Sequence, residues 1–381
     1  MKIGFITYQC GGPGGIETIA LSLACAIKEH GNTVHIVCSK PVSLPPEIGV
    51  TQVASIARPG SLRHLSFRFT SSRAARSLGC DILHSFGMTK HFNVFSAQSC
   101  HKAGLKILEQ YTSRLIENPF GKGVANTLAL WQERRNFSVA PDKKIIACSQ
   151  RTKKEILEEY KIEENNVTVI PNGIDLQRFY RTTEKEAQGR AILRKAGVPD
   201  SVPVILFVGN EFARKGLAAL IQSLPLLKGQ APHIVVAGNG HTRPYRQLAA
   251  RLGIESSVHF LGSVGEIDRL YAAAHLLVLP ALHEAFGLVI IEAMAMGVPV
   301  IASARAGAVE DLATNEKHCL TLRTPEQPEE IAAAIQRVFD DSTLQDRMIQ
   351  AGMALARRIP WIDVALQYIE VYQQIVTNKT Q

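Results

Sequence analysis

At 381 residues the chain is longer than a single hydrophobic core usually grows, so two domains are expected. Apolar residues make up 46% and charged residues 20%, which excludes a disordered chain, and no uncharged apolar run is long enough to span a membrane. The net charge of +8 is uneven, with 20 Lys+Arg against 8 Asp+Glu in residues 1–154, so an anionic partner is expected on that half.

Short β-branched runs alternate with amphipathic helical stretches along almost the whole chain. This is the pattern of parallel sheets with crossover helices, so the fold class is α/β. Residues 1–7 form an apolar run too short for a signal peptide and read as the first strand. The turn Gly11-Gly12-Pro13-Gly14-Gly15 follows, where glycines let the backbone approach a phosphate or sugar closely; a plain strand-to-helix loop is an equal reading. Further strands are expected at 33–38, 81–85, 93–97, 144–148 and 167–170. After Pro171-Asn172-Gly173-Ile174-Asp175 comes a polar stretch to Asp200, and the alternation restarts with strands at 204–208, 233–237, 258–261, 276–280, 298–302 and 319–322. The tail over 331–376 reads as helical, interrupted at Pro360. Seven scattered cysteines without a C-x-x-C pair argue against a disulfide framework or a zinc site, and they are expected to be reduced and mostly buried.

Open parallel sheets bind ligands beyond the carboxyl ends of their strands, and two doubly wound domains facing each other place the ligand in the cleft between them. Four segments fall just after strands. The first is His283-Glu284-Ala285-Phe286-Gly287-Leu288-Val289-Ile290-Ile291-Glu292-Ala293, where a loop turns into a helix whose free first amides and dipole favour a phosphate. If helical throughout, the segment sets Glu284 and Glu292 up to about 12 Å apart, a span that suits the two sugars flanking a diphosphate. Read blandly, Glu284 is an N-terminal cap and Glu292 a solvated helix residue. Against that, Glu292 sits among Val289, Ile290, Ile291, Ala293 and Met294, where a carboxylate needs a partner. The second segment carries Arg214-Lys215, adjacent cations before a helix that can offset charge on a departing nucleotide. The glycine turn is the third, and His101 after the strand at 93–97 is the fourth.

On these residues the chain resembles the retaining GT-B glycosyltransferases of family 4, group 1, which share an E-x7-E motif matched by Glu284 and Glu292. The resemblance covers nearly the whole chain. It implies an N-terminal acceptor-binding domain of residues 1–170 and 360–381, the latter a returning C-terminal helix, and a donor-binding domain of residues 171–359. By that likeness Glu284 contacts the transferred sugar, Glu292 the ribose, and the amides of Phe286, Gly287, Leu288 and Val289 the phosphates. Arg214 and Lys215 grip the pyrophosphate, Gly14 and Gly15 lie beside it, and His101 stands near the reacting carbon. Catalytic roles thus fall to His101, Glu284, Arg214 and Lys215. Asn172 and Gly240 are weaker matches lining the cleft, and Glu310 is either a match or a helix cap. Where the family has two adjacent glycines before that glutamate, this chain has Ala306-Gly307-Ala308, which bears on donor preference.

UDP-glucose is the first donor expected by resemblance, with UDP-N-acetylglucosamine and GDP-mannose open. No cofactor is expected, because Arg214, Lys215 and the helix start supply the positive potential of a divalent ion. Arg58, Arg63, Arg68, Arg73 and Arg76, with no acid among them and with Lys122, Arg134, Arg135, Lys143 and Lys144 adding to the same domain's charge, suit a glycan or lipid-linked acceptor and peripheral contact with an anionic membrane; a helix whose arginines are simply solvated is an equal reading. The second domain is similar to that of lipopolysaccharide core glucosyltransferases, and a cytoplasmic location is expected. A NAD-dependent oxidoreductase is disfavoured: the strand at 33–38 ends in Ser39-Lys40-Pro41 rather than an acid, and the glycine turn lacks G-x-G-x-x-G spacing. A sugar-nucleotide epimerase of the same fold and a non-enzymatic carbohydrate-binding protein remain as alternatives, and nucleic acid is not an expected partner.

Overall fold

The computed structural model describes the chain except residues 13, 43, 57–59, 88, 112–123, 139–142, 230 and 381, and except the side chains of 60–62, 64, 124, 125, 379 and 380. In chain order the elements are β1 (Lys2–Ile6), β2 (Gln9–Cys10), α1 (Gly15–Glu29), β3 (Thr33–Cys38), β4 (Lys40–Pro41), β5 (Gly49–Gln52), α2 (Gly60–Ser77), β6 (Ile82–Ser85), β7 (Val94–Ala97), α3 (His101–Gln110), α4 (Val124–Asn136), β8 (Lys144–Ala147), α5 (Gln150–Tyr160) and β9 (Val167–Val169). They continue as α6 (Thr183–Lys195), β10 (Val204–Val208), α7 (Leu217–Ser223), β11 (His233–Ala237), α8 (Arg243–Arg251), β12 (Val258–Gly262), α9 (Ile267–Ala273), β13 (Leu276–Leu279), α10 (Leu288–Ala295), β14 (Val300–Ser303), α11 (Gly307–Leu312), β15 (Leu320–Leu322), α12 (Pro328–Asp340), α13 (Ser342–Ala356) and α14 (Trp361–Thr380). Two compact units result: residues 1–105, 120–173 and 359–381, and residues 106–119 with 174–358.

The first unit is built on a seven-stranded sheet in the order β5-β3-β1-β6-β7-β8-β9, every ladder parallel. Strand order reverses between β1 and β6. The fully buried His84 of β6 ties in the last helix: its Nδ1 lies 2.6 Å from Tyr372 Oη of α14 and its Nε2 2.8 Å from Ser96 Oγ of β7. The ring stacks on Phe86 at 4.4 Å. Burial pushes its pKa down to about 3.

That depression carries a pH dependence. The unfolded chain protonates His84 near its ordinary value of about 6.5, whereas the folded chain resists until about 3, so the stability it confers is complete above the first value and lost as pH falls toward the second. The stability gap between wild type and His84→Gln is expected to narrow by about 1.4 kcal/mol per pH unit between those limits. Urea unfolding at a series of pH values measures it; a constant gap would mean that His84 titrates normally.

The second unit carries a six-stranded parallel sheet in the order β12-β11-β10-β13-β14-β15. Strands such as β13 (LLVL) are buried throughout, as a sheet covered on both faces requires. The core joins Ile205, Phe207, Leu220, Val236, Leu276, Val278 and Ile335. The polar stretch after Asp175 is more structured than its composition suggests. It forms α6, capped where Thr182 Oγ1 accepts the Lys185 N–H at 3.1 Å, and Gly189 lets it approach α9 so closely that a Cβ would lie 2.0 Å from the Arg269 carbonyl oxygen.

Other departures from expectation are local. The strand expected at 298–302 begins at Val300, just past Pro299, which has no N–H to give a ladder. The helical tail breaks at Asp341 as well as Pro360, because the Asp341 carboxylate caps α13 by accepting the Leu344 N–H at 2.9 Å. The edge strand β5 and the two-residue strands β2 and β4 carry too little apolar periodicity to be read from sequence. The seven cysteines are free, five of them buried and Cys25 and Cys80 half-buried. Among the described residues no helix is long and apolar enough to cross a membrane.

Candidate active site

In the second unit β10 pairs directly with β13, and the strand order reverses there, so the loops that leave these two strands meet at the switch point of the sheet. The loop after β10 contains Arg214 and Lys215; the loop after β13 contains Glu284. Two glycines make the meeting possible. Gly209 (φ +153°) lies under the Lys215 stem, where a Cβ would come 2.2 Å from Lys215 Cδ. Gly216 (φ +77°) sits against β13's exit, where a Cβ would come 1.9 Å from the Pro280 carbonyl oxygen.

The result is a buried ion cluster. Lys215 Nζ donates to Glu284 Oε2 at 2.7 Å, and Arg214 Nη1 lies 3.5 Å from the same oxygen. Arg214 is oriented by donating to the His283 carbonyl at 2.6 Å and to Glu211 Oε2 from Nε at 3.0 Å. Burial by itself pushes the Glu284 pKa up, but the charges of Lys215 and Arg214 outweigh it and hold the carboxyl down to about 2. For Arg214 burial acts to lower the pKa, and Glu284 and Glu211 together raise it above its usual value. Glu284 and Arg214 are therefore charged at neutral pH.

Glu284 is fixed by backbone rather than by a helix. It bridges Ala306, its N–H donating to the Arg305 carbonyl (3.2 Å) and its carbonyl accepting the Gly307 N–H (3.1 Å). The bland reading of Glu284 as a helix cap, and the helix running from it, are thus corrected: α10 starts at Leu288, and its N-cap is Gly287 at φ +95°. The chain first makes a left-handed turn that only glycine adopts cheaply, so the spacing of the two glutamates is not a helical one. Phe286 is buried, and its carbonyl accepts the Ala308 N–H at 2.8 Å. The N–H groups of Gly287, Leu288 and Val289 donate to no described residue and mark the positive end of α10.

Glu292 lies on α10, half-buried, and the partner its apolar surroundings demand is Tyr271 of α9, whose Oη donates to Oε2 at 2.8 Å. Burial raises the Glu292 pKa, and the Tyr271 hydrogen bond opposes the rise. Oε1 has no partner among the described residues. Tyr271 is fully buried and meets Phe179 edge-on at 6.1 Å. Nothing in its own sequence context marks it.

The remaining expected site residues belong to the first unit. Gly14 is the N-cap of α1, and its carbonyl accepts the Thr18 N–H at 3.0 Å. A Cβ on Gly14 would meet only the end of the flexible Glu17 side chain, at 1.9 Å from its carboxylate, and one on Gly15 would meet nothing within 4 Å, so neither position requires glycine on steric grounds. His101 opens α3. Its N–H donates to Glu133 Oε1, the Lys102 N–H to Glu133 Oε2 at 3.0 Å, and Tyr160 Oη to the same Oε2. Glu133, on α4 and far away in sequence, therefore caps the helix that presents His101.

Among the weaker matches, Asn172 is buried with Nδ2 donating to Gln98 Oε1 at 2.9 Å, and a Cβ on Gly240 would come 2.4 Å from the Phe212 ring. Glu310 lies inside α11, whose N-cap is Ala306, so Glu310 does not cap that helix. Arg58 and Lys122 lie outside the described residues.

Comparison with known proteins bears on the family and the fold. Residues 13–178 match the family described as Glycosyltransferase Family 4, and residues 190–354 the family described as Glycosyl transferases group 1. An uncharacterized glycosyltransferase of Methanocaldococcus jannaschii is 27% identical over 390 residues, 98% of each chain. The lipopolysaccharide glucosyltransferase WaaG of Escherichia coli is 30% identical over 218 residues, 56% of this chain and 57% of that protein. A crystal structure of WaaG superposes with a TM-score of 0.81 at 20% identity, covering 97% of this chain and 99% of that one. Anabaena HepE, solved with UDP-glucose, gives 0.73 at 21% identity over 98% and 100%. Both likenesses bear on fold. Matched family domains over both halves and a GT-B architecture along the whole length make this chain a glycosyltransferase of family 4, group 1.

Proposed function

We propose that the enzyme is a retaining hexosyltransferase that moves glucose from UDP-glucose to a glycan or lipid-linked acceptor of the lipopolysaccharide-core type. The observation that carries the reading is the buried cluster of Lys215, Arg214 and Glu284 beside the first amides of α10, which have no partner among the described residues. A diphosphate placed there meets two cations and three N–H donors. As the sugar–phosphate bond breaks, negative charge grows on the departing nucleotide diphosphate, and donors already fixed in a water-poor site stabilise it without reorganising. Glu284, kept ionised by its partners, accepts hydrogen bonds from hydroxyls of the transferred sugar. Glu292, with Oε2 occupied by Tyr271, offers Oε1 to the ribose. His101 makes polar contact with the donor sugar, and Gly14 and Gly15 line the diphosphate side. HepE's complex with UDP-glucose supports the choice of donor.

The basic first unit suits an anionic acceptor, and peripheral attachment at the inner face of the cytoplasmic membrane follows from such an acceptor. The positive potential supplied by Arg214, Lys215 and α10 takes the place of a metal. Activity is therefore expected to survive a chelator essentially unchanged, and strict dependence on a divalent ion would contradict the scheme. A thermal-shift screen of UDP-glucose, UDP-N-acetylglucosamine and GDP-mannose tests the donor, because a ligand of the native state raises the melting point. Product analysis tests the reaction: UDP released only with acceptor supports transfer, and an isomerised donor would sink it.

Tyr271→Phe provides a sharper check on Glu292. It removes one hydrogen bond to a carboxylate, worth about 1.5–3 kcal/mol. The donor KM is expected to rise roughly tenfold with kcat little changed, since the interaction holds the ribose in ground and transition states alike. An unchanged KM would remove Glu292 from the donor site.

A further inference from the structure

Between Glu47 and Glu109 the sequence holds one acid, Asp81, against eight Lys and Arg. The fold gathers part of that charge at one place. Arg68 is buried in α2 at 6% exposure, and its Nη1 donates to a neutral acceptor, Gln132 Oε1, at 2.6 Å; no carboxylate pairs with it among the described residues. One turn on, Ser72 pins the turn at 89–91 to the same helix: its Oγ lies 2.9 Å from Thr89 Oγ1 and accepts the Lys90 N–H at 2.8 Å. Lys90 and His91 are thereby fixed beside α2.

Arg76 Nη2 approaches His91 Nδ1 at 3.3 Å, Lys90 Nζ lies 4.0 Å from the Phe69 ring centroid, and Lys143 Nζ lies 4.7 Å from that of Phe92. These contacts hold Arg76, Lys90 and Lys143 around the short segment 90–92, one turn along α2 from the buried Arg68, and burial with the nearby cations pushes the His91 pKa down. Cations held together on a pinned scaffold repel one another, and a bound oxyanion relieves the repulsion through charge-assisted hydrogen bonds. We propose that Arg68, Arg76, Lys90, His91 and Lys143 form a binding site for a phosphate ester, built from different residues than the donor site. Phe69 and Trp131, exposed at 57% and 40%, stand at its rim, with Arg68 and Arg135 over the Trp131 ring.

The site's purpose, to hold a phosphate on the acceptor, rests on the acceptor reading of the first unit; its binding does not, and the two are measured separately. The probes are glycerol 3-phosphate, followed by calorimetry, and vesicles of phosphatidylcholine with or without phosphatidylglycerol, followed by sedimentation, all with the full chain and no donor. The variant is Arg76→Gln/Lys90→Gln, both exposed residues, with an unchanged melting temperature as the check on folding. Binding that weakens with salt is expected, falling about thirtyfold in the variant, or about fivefold per cation removed. Glycerol 3-phosphate and mixed vesicles both binding assigns a small phosphate ester; mixed vesicles alone assign a lipid headgroup with the rim aromatics engaged. No binding of either probe, or equal binding by the variant, overturns the site. Binding lost while the acceptor KM stays at the wild-type value keeps the site and removes its acceptor role.

Discussion

Replacing Lys215 by methionine is expected to lower kcat/KM by about 100- to 1,000-fold, the range for losing one fixed donor to a transition-state oxyanion. It should also destabilise the second unit. Glu284 would stay buried beside Arg214 alone, and breaking a buried ion pair by removing one partner costs about 3–5 kcal/mol. The two effects separate in the double variant Lys215→Met/Glu284→Gln. Removing both charges restores much of the stability, because no uncompensated carboxylate remains, but it restores no activity. Donor turnover and urea midpoints for the two variants and Glu284→Gln complete the cycle. Stability recovering together with activity would show the cluster to be structural only.

The same cluster sets an acid limit. Glu284 has its folded pKa held down to about 2, below the ordinary glutamate value, so its contribution is complete above the unfolded value and disappears as pH falls toward 2. In Lys215→Met that depression is reduced, and the variant's stability should fall less steeply over the acid range.

Much of this was legible in the sequence because it follows from local rules. Apolar runs such as 204–208 and 233–237 coincide with strands, since a strand buried on both faces needs nothing else to identify it. Arg214, Lys215, Glu284 and Glu292 could be singled out because functional loops follow strand ends, and four of those loops stood out in composition. What stayed hidden depends on distance in the chain. Tyr271 meets Glu292 across 21 residues and Glu133 meets His101 across 32, and neither tyrosine nor glutamate carries a mark of its own. The left-handed turn at Gly287 replaced an expected helix for a similar reason: Glu284 is held out of the helix by backbone pairing with the segment 305–307, well along the chain, and Gly287 at φ +95° makes the turn from that bridge into α10.

Glu133 provides the second large effect. Its carboxylate accepts the first two N–H groups of α3 and the Tyr160 hydroxyl, so in Glu133→Ala three donors lose their acceptor inside a largely buried site. Losing a helix cap costs about 1 kcal/mol and stranding a buried hydroxyl about as much again, so a stability loss of roughly 2 kcal/mol is expected. The catalytic loss should be larger than unfolding explains. His101 is the first residue of α3, and a helix whose first turn frays no longer holds its leading side chain in one place; kcat is expected to fall about thirtyfold, within the range by which misplacement of a reacting group slows an enzyme. The donor KM should barely move, because Arg214, Lys215, Glu284 and Glu292 are untouched. Glu133→Gln keeps one amide oxygen to accept a helix N–H but presents a donor where Lys102 N–H and Tyr160 Oη need an acceptor, so it should fall between wild type and alanine in both kcat and stability. Steady-state kinetics at a temperature where all three proteins are fully folded decides the matter. If kcat is equal in all three, Glu133 only holds the fold together; if kcat falls in the order Glu, Gln, Ala at constant donor KM, it positions His101.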